Sequence, residues 1–264
     1  MSAQQSSSTV ELSGQQYGEV GTPIVILHGL LGSNRNWTSI AKRLAQKYKV
    51  VALDLRNHGS SPWADAMSYS LMAADVRAYI EQNALGPVTV IGHSMGGKTA
   101  MRLALDAPSL VERLVVVDIA PVDYDHSTGE YVEALRALDL DGVGSRNTLD
   151  ERLVESVSEP AIRAFLLQNL VRQNEGFTWR ANLDVLSKAM PSLMAFPTGE
   201  HDRYRGPALF LSGASSNYVT SSQKPAIERL FEKADLRVIA DAGHWVHAEQ
   251  PTAFLAHLQH FLEG

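Results

Sequence analysis

The chain has 264 residues, enough for one large core and most simply one domain carrying an insertion. Its 45% hydrophobic and 20% charged residues suit an ordinary globular protein, and a net charge of −6 without a run of Lys or Arg argues against nucleic-acid binding. The absence of cysteine excludes disulfides, thiolate catalysis and Cys-based metal sites together.

The first residues, MSAQQSSSTVELSG, have neither the basic start nor the apolar core of a secretory signal, and residues 1–9 are expected to form a frayed polar tail. No apolar run approaches the roughly 18 residues that span a bilayer, so a cytoplasmic protein, monomer or homodimer, is expected. Val10–Val20, turning at Ser13-Gly14, is predicted to add an antiparallel pair at a sheet edge. Strands are predicted at Ile24–Leu27, Val50–Leu53, Val88–Ile91, Leu114–Val117, Ala208–Leu211 and Leu236–Ala240. Several are unbroken apolar runs, as befits parallel strands covered on both faces. Helical patterns at Trp37–Gln46, Ser70–Asn83, Lys98–Ala107, Pro225–Lys233 and Pro251–Leu262 alternate with them, which predicts an α/β fold on a mostly parallel sheet.

One interval breaks this rhythm. From Ile119 to Gly206 no strand is evident, and the patterns at Gly129–Leu138, Thr148–Val157, Pro160–Gln173 and Asn182–Met190 are helical. A crossover needs only a dozen or so residues. The excess is either a decorated crossover or, as we read it, a helical lid over residues 122–200. Such a lid would cover the strand ends, where ligands bind in open α/β sheets. Residues 10–121 and 201–264 then form the core.

The stretch Val88–Ala100, VTVIGHSMGGKTA, satisfies two unrelated motifs. Gly92–Gly96 is G-x-S-x-G, the nucleophile elbow of a serine hydrolase. Gly92–Thr99 is G-x-x-x-x-G-K-[ST], the phosphate-cradling P-loop. Both need an apolar strand before and a helix after, and both have them here. Elsewhere, His28-Gly29-Leu30-Leu31-Gly32 directly follows an early strand, where an oxyanion-hole donor is expected from Leu30, with the second from Met95 after the nucleophile. Gly243-His244-Trp245 follows the late strand, where the order Ser…acid…His can close, and His244 is the candidate base. His247 is the runner-up and could mimic a metal pair with His244, but no third ligand is evident. On the P-loop reading, Leu114–Asp118 would be a Walker-B strand. That reading leaves HGLLG and GHW unexplained.

The base needs a carboxylate to hold its tautomer and stabilise its cation. The loop after Ala208–Leu211, SGASSNYVTSS, contains no acid, only Asn217 about where one would stand. Asp118, ending the strand beside that of Ser94, is the best replacement. Asp241 is too near His244 in sequence, and Asp123 and Asp125 at the lid entrance are weaker. The predicted triad is Ser94, His244 and Asp118.

With these residues in place the chain resembles the α/β-hydrolase superfamily, and within it the YbfF-type bacterial short-chain esterases. The matching segments are HGLLGSNRNW, DLRNHGSSP, GHSMGGKTAM, VVDIAPVDY and AGHWVHAEQP. The resemblance implies an α/β-hydrolase fold, the same triad and oxyanion donors at Leu30 and Met95; the acyl-serine chemistry expected of them requires no cofactor. It also implies that FTWR, Phe177–Arg180, is a lid segment facing the active site. The expected substrate is a small ester or thioester cleaved through an acyl-serine, in a pocket walled by Leu30, Leu31, Met95, Trp179 and Trp245. An anionic head group could meet Arg180 or Arg35. Activity should rise with pH as His244 loses its proton, near 6.5 at the free value. Two rival readings remain: a binding protein with an idle triad, and a P-loop phosphotransferase.

Overall fold

The computed structural model describes residues 9–125, 129–174 and 176–264, so the expected tail falls, as far as residue 8, outside the described residues. The chain enters through β1 (Gly14–Tyr17) and β2 (Pro23–Leu27), turns through Asn34–Trp37 into α1 (Thr38–Leu44), and returns as β3 (Lys49–Leu53). Then come α2 (Tyr69–Gln82), β4 (Val88–His93), α3 (Met95–Asp106) and β5 (Val111–Val117). The insertion holds α4 (Gly129–Arg136), α5 (Arg146–Leu153), α6 (Pro160–Leu166), β6 (Leu170–Arg172), β7 (Phe177–Trp179) and α7 (Leu183–Met194). The chain closes with β8 (Tyr204–Gly213), α8 (Lys224–Leu230), β9 (Phe231–Ile239), α9 (Val246–Glu249) and α10 (Pro251–Glu263).

Seven strands pair in the order β1-β3-β2-β4-β5-β8-β9, parallel except for β1. The unbroken apolar runs explain the layering, because successive side chains point to opposite faces and both faces are covered. Val25, Leu27, Val90 and Val116 meet the cluster that includes α2, α3 and α8 residues. Their neighbours Ile24, Ile26, Ile91 and Val115 meet Trp37, Ile40 and Leu44 on one side of the chain and Phe254 and Leu258 of α10 on the other. The register sets the site. His93 stands opposite Val117 and Val117 opposite Leu211, so β4 and β5 end at one level and β8 runs just past them to Gly213. No helix among the described residues is long and apolar enough to cross a membrane.

Three local expectations are corrected. Ser13-Gly14 is not a turn: the Ser13 carbonyl accepts from the Asp54 N–H at 2.9 Å, and Gly14–Tyr17 pairs antiparallel with β3 as a single edge strand. The helix expected over Pro160–Gln173 stops at Leu166, and Leu170–Arg172 pairs with Phe177–Trp179 in a hairpin, which the all-helical reading missed. The helix expected over Pro225–Lys233 ends at Leu230, because Phe231 begins β9 with its ring buried against Tyr204 and Phe210.

Candidate active site

Ser94 sits between β4 and α3 with φ +52° and ψ −118°, a backbone conformation costly for any residue with a side chain. Its N–H donates to the Val117 carbonyl at 3.0 Å, and its hydroxyl does not cap the helix but lines a cavity of about 230 Å³. The motif's glycines make so sharp a turn possible. A Cβ at Gly92 would lie 2.2 Å from the Gly96 carbonyl oxygen, and one at Gly96 would lie 2.5 Å from those of Leu27 and His28. Strand and helix therefore close on each other only without side chains at both places.

His244 lines the same cavity from the loop after β9. Its Nδ1 lies 2.7 Å from Oδ2 of Asp118, whose side chain is fully buried. The Gly213 N–H donates to Asp118 Oδ1 at 3.0 Å, and the Ser216 hydroxyl donates to Oδ2. The loop SGASSNY thus holds no acid because it supplies donors to one borne by the neighbouring strand. Asp118, like Ser94, has a left-handed φ, +52°. Strain at both positions marks them as held by their surroundings. The other acids lie elsewhere: Asp123 accepts from the Phe196 N–H at 2.7 Å, Asp125 and Asp241 are exposed, and so is Asn217.

Two aromatic rings fix the imidazole. Tyr218 stacks on His244 at 4.1 Å between centroids and 25° between planes. His93 packs at 4.7 Å, and its Nε2–H donates to the His244 carbonyl at 2.8 Å. Burial pushes His93 well below the ordinary histidine range. His247 also lines the cavity, but it stacks on Trp37 at 4.0 Å, and burial lowers it to about 3. That makes it a far weaker base than an ordinary imidazole.

The HGLLG loop is held by two more buried histidines. The Leu31 N–H donates to His58 Nε2 at 3.1 Å, while His58 Nδ1–H donates to the Arg56 carbonyl at 3.0 Å. His28 receives the Leu55 N–H at Nε2, 3.0 Å, and donates from Nδ1 to the Gly29 carbonyl at 2.8 Å. Each ring must be neutral to accept at Nε2. Burial supplies that state, lowering His28 to about 4 and His58 to about 3. Leu31 itself adopts φ +58° and lines the cavity. The N–H groups of Leu30 and Met95 have no acceptor among the described residues.

The insertion roofs the cavity with Tyr131, Ile162, Phe165 and Leu166, and Trp245 packs on Phe165 at 5.9 Å. Leu30, Leu31 and Trp245 are lining residues, as the sequence suggests. Trp179 and Arg180 are not. Trp179 lines a separate outer groove with Trp63 and Arg136, and Arg180 lines a polar pocket with Arg35 and Asp54. The reason is the hairpin: Trp179 pairs with Leu170, and Trp63 Nε1–H donates to the Arg180 carbonyl at 2.9 Å, pinning that end to the core. The two arginines do meet, but away from Ser94.

Lys98 answers the P-loop question. Its side chain is buried, and Nζ donates to the carbonyls of Met194 and Ala195 at the end of α7, at 2.8 and 3.1 Å. It lies over the rings of Tyr124 and Tyr69, at 4.8 and 5.6 Å. Burial lowers it to about 7. A P-loop lysine must reach phosphate, whereas this one ties the insertion to the core. With Asp118 turned to His244, the nucleotide reading has lost both of its residues. Sequence reasoning expected a lid segment here but named none of its lining residues, and it missed Tyr218, Ser216 and His93. His93 is the variable residue of the elbow motif, and Ser216 and Tyr218 lie within the loop that was searched only for an acid.

The fold and this arrangement define the class. Residues 22–251 match the family model described as the alpha/beta hydrolase fold, and the chain belongs to that family. It is 46% identical over 252 residues to sn-1-specific diacylglycerol lipase ABHD11 of Xenopus tropicalis, covering 92% of this chain and 79% of that one. It is 35% identical over 245 residues to esterase YbfF of Escherichia coli K12, covering 91% and 93%. A solved structure titled marine microorganism esterase superposes with a TM-score of 0.93 at 40% identity, covering 96% of this chain and all of that one.

Proposed function

We propose that the chain is a serine hydrolase, a carboxylesterase or thioesterase that cleaves short- to medium-chain acyl esters or thioesters through an acyl-serine intermediate. The observation that carries this reading is the 2.7 Å contact of His244 Nδ1 with buried Asp118, in a loop that shares one cavity with Ser94. Relatives named esterase and lipase along nearly the whole chain support it.

Ser94 Oγ attacks the acyl carbonyl while His244 Nε2 takes its proton, and the Leu30 and Met95 N–H groups receive the oxyanion. Asp118 holds the Nδ1–H tautomer and offsets the imidazolium charge. Collapse of the tetrahedral intermediate expels the alcohol or thiol, which leaves with the proton from His244. Water then gives its proton to the same imidazole, attacks the acyl-serine and releases the acid. Residues 122–200 act as the lid that keeps bulk water from the intermediate.

Turnover separates this reading from an idle binding site on the same fold. Hydrolysis of p-nitrophenyl esters from acetate to palmitate should be saturable for the shorter chains. In Ser94→Ala, kcat should drop on the order of 10⁵–10⁶-fold. Wild type and variant equally inert across the series would defeat the proposal.

A further inference from the structure

Behind the nucleophile lies a second, smaller cavity of about 30 Å³, which shares Ser94, Leu30 and Tyr218 with the first. Its remaining walls include Met95, Ile119, Met190 and Leu193, the last two from α7 of the insertion. The polar tips around it already have partners. Tyr69 OH donates to the Leu193 carbonyl at 2.6 Å, Tyr124 OH to the Tyr218 carbonyl at 2.6 Å, and Lys98 Nζ to the end of α7. Beside these tips and Ser94, the walls are ring faces and alkyl chains.

The two cavities differ in one respect that chemistry can use. His244 lines the larger and not the smaller, whereas Met95 lines only the smaller. The imidazole must protonate the departing oxygen or sulfur, so the leaving group lies on its side of Ser94. The acyl chain extends the other way, past the N–H of Met95. We propose that the small cavity is the acyl subsite and the large one the leaving-group subsite, so that the enzyme is selective for very short acyl chains and permissive toward the alcohol. This assignment rests on the serine-hydrolase reading above. At about 30 Å³ the small cavity has room for roughly two water-sized groups, which suits acetyl or propionyl and not octanoyl. Met190, half-buried on α7, and Leu193 set its depth.

Two substrate series measured side by side test the assignment. In one, the acyl chain of p-nitrophenyl esters grows from two to eight carbons. In the other, the alcohol of acetate esters grows from methyl to octyl, with released acid followed by titration. Expected are a drop in kcat/KM of at least tenfold beyond propionyl in the first series and a flat or rising second series. Met190→Ala should raise kcat/KM for butyryl and hexanoyl esters at least threefold relative to that for the acetyl ester, without changing the trend with alcohol length in the acetate series. Phe165→Ala, on the roof of the large cavity, should alter the alcohol series alone. The reverse pattern, or variants whose effects cross over, overturns the subsite assignment while leaving the hydrolase reading intact. No turnover of either series by the wild type defeats that reading itself, and the assignment with it.

Discussion

Asp118 is the residue on which the account is most exposed, because it stands one strand away from where the acid of such a site is first sought. Its carboxylate accepts from Gly213, Ser216 and His244 at once, so an amide in its place would have to present a donor where three donors already converge. Asp118→Asn should therefore lower kcat on the order of 10³–10⁴-fold with little change in KM, since substrate contacts are untouched. Turnover near wild type would remove Asp118 from the mechanism. Ser94, Asp118 and His244 were legible in the sequence because each falls on a loop directly after an apolar strand, and strand ends in a parallel sheet converge. Trp179 and Arg180 were misplaced for a complementary reason: their surroundings depend on a hairpin register that periodicity does not reveal. The supporting histidines were illegible altogether. His28, His58 and His93 act through the proton on a chosen ring nitrogen, and that choice exists only once the chain is folded.

At the scale of elements, the site is a set of loops pinned to one another. The segment Asp54–Pro62 supports the HGLLG loop through His58, and Arg56 anchors that segment to α2. Its Nε and Nη2 reach Asp75 Oδ2 and Oδ1 at 2.6 and 2.7 Å, both side chains being buried. Removing one partner of such a pair strands a charge, so Arg56→Ala should cost about 3–5 kcal/mol and lower Tm on the order of 10 °C, measured by calorimetry. A Tm within 2 °C of wild type would mean that Arg56 does not carry this anchor. The insertion is pinned likewise: Asn169 Nδ2–H donates to the Leu31 carbonyl at 2.7 Å, and Lys98 caps α7. The sequence announced the insertion by the length of chain without strand pattern. It hid the hairpin inside it because two three-residue strands are too short to establish a period.

For the molecule as a whole, four buried histidines impose a pH limit distinct from the titration of the base. His28, His58 and His247 titrate at about 4, 3 and 3 in the folded protein, and His93 well below the ordinary value, each because burial disfavours its charged form. Unfolded, all four would take protons near 6.5. Their depressed folded values mean that the unfolded chain binds more protons below that pH. The stability they allow is intact above about 6.5 and is lost as pH falls toward 4. All four shifts have the same sign, so their effects on the pH dependence add. A Tm that declines steeply from pH 6.5 to 4.5 is expected, and a flat Tm over that range would contradict it. The two-faced core behind this behaviour was plain in the sequence, since unbroken apolar strands specify burial on both sides. The depth at which the histidines lie was not, because their neighbours come from distant segments. The central claim, that an acyl group is carried by Ser94, has one direct measurement. The protein is treated with a stoichiometric alkyl p-nitrophenyl phosphonate, and activity and the mass of the Ser94 peptide are followed together. The account predicts one adduct, on Ser94, formed in step with the loss of esterase activity and absent from Ser94→Ala. Activity lost without a Ser94 adduct, or an adduct on Ser94 with activity intact, would contradict it.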